Sequence, residues 1–160
     1  RGYGVAIEHL LPVPITWDDQ VVKRIDPAAR WCILIDRDGV TELELRDALA
    51  QVASVSHDRV AVIDERENYP FWEEADVVCT VSKVEGQFPT LLSIDGTGSC
   101  EDALLLVERL SGALEAACLT GMDDVNPYAM WYIKAGQGRR RVFLVADAAD
   151  AGRFEIERSE

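Results

Sequence analysis

Six acids crowd residues 64–76 of this chain: Asp64, Glu65, Glu67, Glu73, Glu74 and Asp76. They stand against a single base, Arg66, a net charge of −5 within thirteen positions. Tyr69, Phe71 and Trp72 are set among them, around Pro70. Aromatic anchors rimmed by carboxylates suit the chemistry of recognition. The rings would supply contact area, and the acids would steer a basic partner and raise its on-rate. The plainer alternative is a surface loop pinned by Phe71 and Trp72 into the core. A second cluster of chemistry-bearing side chains is the run Ile33-Leu34-Ile35-Asp36-Arg37-Asp38-Gly39, an apolar strand ending in two carboxylates and a glycine. Asp, Asp and Gly are also ordinary turn formers, so the same run reads as a turn. A third is Gly96-Thr97-Gly98-Ser99, a glycine-rich turn before an apolar periodic stretch. It has the place of a phosphate-binding turn at a helix start, but Glu101 and Asp102 occupy the mouth where an anion would sit.

The Asp-x-Asp-Gly run resembles the first motif of the haloacid dehalogenase superfamily of phosphohydrolases. The resemblance implies Asp36 as nucleophile, Asp38 as general acid/base and a bridging Mg²⁺, with Asp123-Asp124 imitating the family's acidic metal-binding motif. It covers about fifteen residues. The chain departs from the family where Thr or Ser should end the next parallel strand, because Ile63 is followed by Asp64. No basic residue is identifiable at its expected place, and Asp123-Asp124 follow a predicted helix.

Other reactive types point away from chemistry. Cys32, Cys79, Cys100 and Cys118 form no C-x-x-C pair and sit among apolar neighbours, which predicts core thiols. The two histidines, His9 and His57, are too few for a histidine zinc site and lie near no nucleophile elbow. Arg139-Arg140-Arg141 reads as the basic tip of a hairpin that neutralises nearby acids. We therefore assign no catalytic residue, no metal ligand and no cofactor.

Twenty-nine acids and sixteen bases give the 160-residue chain a net charge of −13. That field disfavours nucleic acid and anionic membranes. No apolar run approaches the roughly 20 residues that span a bilayer. The N-terminal residues lack the zones of a secretory leader, and with unpaired cysteines this places the expectation in the bacterial cytoplasm. The leading expectation is a non-enzymatic acidic binding module, most concretely an immunity protein that inhibits a basic nuclease toxin. The alternatives are a Mg²⁺-dependent phosphohydrolase using Asp36 and Asp38, and an acidic secretion-type chaperone. The oligomeric state is left open.

The elements that must position these residues follow from periodicity and punctuation. Strands are predicted over 5–11, 31–36, 59–63, 77–84, 90–94, 129–134, 141–146 and 154–157, and helices over 16–25, 42–53 and 100–119. Thr41 with Glu44 forms a capping box for the second helix, and Gly121 is the expected stop of the third. The strand–helix–strand run 31–63 suits a βαβ unit with parallel strands. The whole reads as one α+β domain over 1–160, a single mixed sheet of about seven or eight strands with about three helices packed on it.

Overall fold

The computed structural model describes residues 31–64, 75–96 and 103–160. The expected strand 5–11, helix 16–25 and turn 97–99 lie outside the described residues. Trp31–Ile35 forms β1, an unbroken apolar run in which every residue is buried, because both faces of this strand are covered. Chain order continues with α1 (Glu42–Ala53), a 3₁₀ turn (His57–Arg59), β2 (Val60–Asp64), β3 (Val77–Lys83), β4 (Glu85–Gly86) and β5 (Thr90–Asp95). It ends with α2 (Ala103–Leu114), β6 (Cys118–Gly121), β7 (Ala129–Lys134), β8 (Gly138–Leu144), α3 (Ala146–Asp150), β9 (Arg153–Phe154) and β10 (Ile156–Ser159). Among the described residues, eight strands make one mixed sheet in the order β10-β8-β7-β6-β1-β5-β3-β2, and β4 with β9 makes a small parallel ribbon. The fold is α+β, as the sequence predicts.

One face of the sheet packs against α1 and α2. Ile33, Ile35, Val62, Cys79 and Ile94 meet Leu45, Leu49, Leu106 and Leu110 there. The other face carries Cys32, Leu34, Leu119, Met130 and Val142, roofed by Phe88, Phe154 and Ala149. The β4–β9 ribbon makes that roof possible. Gly86 has φ +101, and a Cβ there would stand 2.6 Å from the backbone N and O of Phe154. Only glycine allows the two chains to approach so closely.

Thr41 caps α1 as predicted: the Glu44 N–H donates to Thr41 Oγ1 at 3.1 Å, and the Thr41 hydroxyl donates to Glu44 Oε1 at 3.4 Å. Strands β1 and β2 run parallel in direction, yet β5 and β3 lie between them. The expected helix 100–119 is a correction. It ends at Leu114, and residues 118–121 form β6, inserted between β1 and β7. Glu115 reverses the chain at φ 52. The Glu115 N–H donates to the Gly112 carbonyl and the Ala116 N–H to the Ser111 carbonyl, the Schellman pattern of a helix end. Gly121, the expected stop, is instead the last residue of a strand. Helix α1 ends the same way on Ser54 at φ 56, with the Val55 N–H donating to the Ala50 carbonyl.

Candidate partner-binding surface

Two ends of the acidic stretch are visible. Asp64 is the last residue of β2, and Asp76 immediately precedes β3. The two strands are parallel, with Val60 opposite Val77 and Asp64 opposite Val81, so Asp64 and Asp76 stand at opposite ends of the pair that, among the described residues, borders the sheet. Glu65, Glu67, Tyr69, Phe71, Trp72, Glu73 and Glu74 lie outside the described residues.

Asp76 has a structural task. Arg59 Nε and one terminal nitrogen donate to its two oxygens at 3.1 and 2.9 Å, and the Asp76 N–H donates to the Arg59 carbonyl at 2.8 Å. The hydrogen bond from Arg59 holds the Asp76 carboxyl below the usual aspartate range, with desolvation opposing and the guanidinium charge adding to the shift. Gly96 lies against this joint, because a Cβ on it would come within 2.3 Å of the Asp76 carbonyl oxygen. The expected partner residue at position 76 is therefore also a clamp between the 3₁₀ turn and β3. Beside Asp64, a cavity of about 230 Å³ opens between the first turn of α1 and β2–β3. Among the described residues, Val40, Glu42, Leu45, Val62, Asp64 and Val81 line it.

The Asp36–Gly39 run is a tied turn. Asp36 Oδ1 accepts from the Ala117 N–H at 2.9 Å, and the Asp36 N–H donates to the Ala117 carbonyl at 3.1 Å, prolonging the β1–β6 ladder by one pair. Asp38 Oδ1 accepts from the Gly39 N–H at 2.9 Å, and Gly39 sits at φ +71. Asp123 and Asp124 follow a core strand, β6, and not the predicted helix. That strand runs antiparallel to β1, with Ile35 opposite Cys118 and Ile33 opposite Thr120. The four steps from Ala117 to Gly121 carry the chain roughly 13 Å from Asp36 before Asp123 is reached. The two acidic pairs thus sit toward opposite ends of the sheet. Asp124 is bound to Arg141 at 2.5 Å and accepts from the Asn126 N–H at 2.8 Å. Among the described residues, no group of three or more His, Cys, Asp or Glu is placed to hold a metal ion.

The arginine triplet lies on β8, and its guanidiniums rest on rings. Arg139 stands 5.5 Å from the Trp131 centroid, Arg140 4.5 Å from Tyr132 and Arg141 4.8 Å from Phe143. Arg158 lies 4.0 Å from Phe143, so that ring carries two cations. Arg141 also pairs with Glu160 at 3.0 Å. The described cysteines are buried thiols, as expected. Burial pushes the Cys118 thiol up to about 12, helped by the charge of Asp36 and opposed by a hydrogen bond with Ser111. His57 is bonded to Asp47 on the surface. No helix among the described residues is long and apolar enough to cross a membrane.

Two residues that join these parts gave no signal in the sequence. Arg37 donates to Glu44 Oε2 at 2.9 Å and to the Leu114 carbonyl at 2.8 Å, so it ties the start of α1 to the end of α2. That bond holds the Glu44 carboxyl below its ordinary range. Ser111, fully buried, donates to the Ala116 carbonyl at 2.5 Å and accepts from the Ala135 N–H at 3.0 Å. Each links segments far apart in sequence, which spacing alone does not reveal. No protein-family model matches the chain, and neither the curated proteins nor the solved structures give a match.

Proposed function

We propose that this chain is a non-enzymatic binding module that captures a basic protein, and that its most concrete form is an immunity-type inhibitor of a nuclease. The observation that carries this reading is the location of charge. The chain has net charge −13, and the densest run of acids, residues 64–76, belongs to the connection between the bordering strands β2 and β3. Nuclease clefts are basic because they hold phosphates, so an acidic surface can occlude one and gain electrostatic on-rate. The main competing reading, phosphate-ester hydrolysis at Asp36 and Asp38, draws less support. Asp36 Oδ1 is engaged by a backbone N–H, and the second acidic pair lies toward the far end of β6.

The test is capture of a partner by the immobilised chain at low and at high salt. A basic protein is expected to be retained at low salt and released as salt rises. Trp72→Ala is expected to weaken it roughly 30-fold or more, the loss of one aromatic hot spot. Binding that is indifferent to both salt and Trp72 overturns the reading. So does Mg²⁺-dependent phosphatase turnover that disappears in Asp36→Asn.

A further inference from the structure

The cavity beside Asp64 combines two chemistries that one side chain type matches. Val40, Leu45, Val62 and Val81 supply apolar walls, and Glu42 and Asp64 supply carboxylates. Its volume of about 230 Å³ falls below the roughly 300–1,000 Å³ of pockets that enclose a whole small molecule, and is of a size for a single inserted side chain. Arginine carries an apolar stem that packs along hydrophobic walls and a planar fork of five N–H donors. That fork can engage two carboxylates at once, which an ammonium point charge does less well.

We propose that this cavity receives one arginine side chain of the basic partner, its stem against the valines and Leu45 and its guanidinium between Glu42 and Asp64. The proposal rests on the reading of the chain as a binder of a basic protein and names where the first contact is anchored. Glu42 already accepts a guanidinium N–H, from Arg46 at 2.6 Å, and still keeps 60% of its side chain exposed. A carboxylate has about four acceptor sites, so an internal partner leaves room for an incoming donor. Asp64 is also the first acid of the run 64–76, so the chain's most acidic stretch contributes a carboxylate to the cavity lining. Arginine is among the residues enriched at binding hot spots.

The test is a titration of the ¹³C-methyl-labelled chain with N-acetyl-arginine methylamide, and with its lysine and citrulline counterparts, followed by NMR. Saturable shifts are expected at Val40, Leu45, Val62 and Val81. Binding should be about tenfold weaker for neutral citrulline. It should also weaken in Glu42→Gln and Asp64→Asn, with the rest of the methyl spectrum unmoved. Val40→Phe, which fills the cavity without changing charge, is expected to abolish the response. No saturable shifts, or equal shifts from citrulline or lysine, overturn the assignment. If a basic protein binds Val40→Phe as well as the native chain, the arginine pocket falls and the binding reading stands. If the pocket takes arginine but no basic protein is ever captured, the binding reading falls instead.

Discussion

Two stretches of the chain carry opposite charge: residues 64–76, which begin in β2, and the β7–β8 hairpin. At the β2 end the acidic connection has six acids and one base. The β7–β8 hairpin with its flanks, residues 125–146, contains Lys134, Arg139, Arg140 and Arg141 and no acid at all. The basic hairpin is nevertheless closed on itself: three guanidiniums lie on the rings of Trp131, Tyr132 and Phe143, and Arg141 is paired with Asp124 and Glu160. In the acidic stretch the described pair Arg59–Asp76 serves as a clamp between the 3₁₀ turn and β3. Strands β2 and β8 are six places apart, roughly 29 Å, several times the roughly 8 Å screening length of physiological salt. The two regions therefore act independently. A count of charges by sequence does not show which of them are committed to rings and carboxylates, as the hairpin's arginines are.

Substitutions can break this contrast, beginning with the basic end. Phe143→Ala is expected to destabilise by about 3–4 kcal/mol in urea denaturation, since it empties a buried ring site and leaves Arg141 and Arg158 without their platform. Phe143→Leu keeps most of the burial and should cost about 1 kcal/mol. A Phe143→Leu variant as stable as the native chain would show that the cation contacts contribute nothing.

At the acidic end, Gly96→Ala is expected to cost about 2–3 kcal/mol, because φ +92 strains any other residue and the new Cβ meets the Asp76 carbonyl. Hydrogen exchange should speed in β2 and β3 and stay unchanged in β7 and β8. Protection lost evenly across the sheet would contradict the independence of the two ends.

The Arg59–Asp76 clamp should give a smaller effect, with a defined pH dependence. The folded-state value of Asp76 is lowered, so its contribution is in place above the ordinary aspartate value of 3.8 and disappears as pH falls through the lowered value. Asp76→Asn should therefore be less stable than the native chain at pH 7 and converge with it as the pH approaches 2. A difference that persists unchanged at acid pH would remove the ionic account. The smallest effect calibrates the rest from a position in neither region. Glu115→Gly should stabilise by about 0.5–1 kcal/mol, read as a raised Tm, because glycine adopts the left-handed helix end without strain.

That last residue also marks where sequence reading fails. The strands β1, β3, β5, β7 and β8 announce themselves as short apolar or alternating runs, and Thr41 with Glu44 marks α1. The stretch 100–119 reads as one helix, because buried helix and buried strand are both apolar and the break at Glu115 lacks the glycine that would signal it. The five-residue α3 has no side-chain cap to betray it. The order of strands was equally hidden: β1 and β2 share a direction, but β5 and β3 arrive later in the chain and pair between them. For the candidate site, Asp64 and Asp76 were legible as acids. The clamp from Arg59 and the cavity walls from Val40 and Val81 depend on distant segments meeting.

The placement of β1 has a consequence for how the protein is made. Its two ladder partners are β5, which begins at Thr90, and β6, which ends at Gly121. At roughly 5–20 residues per second of synthesis, the central strand waits roughly 4–17 s after its own translation before both neighbours exist. Throughout that interval its hydrogen-bonding edges and its apolar side chains lack their final cover, so aggregation on the ribosome is the hazard this topology carries.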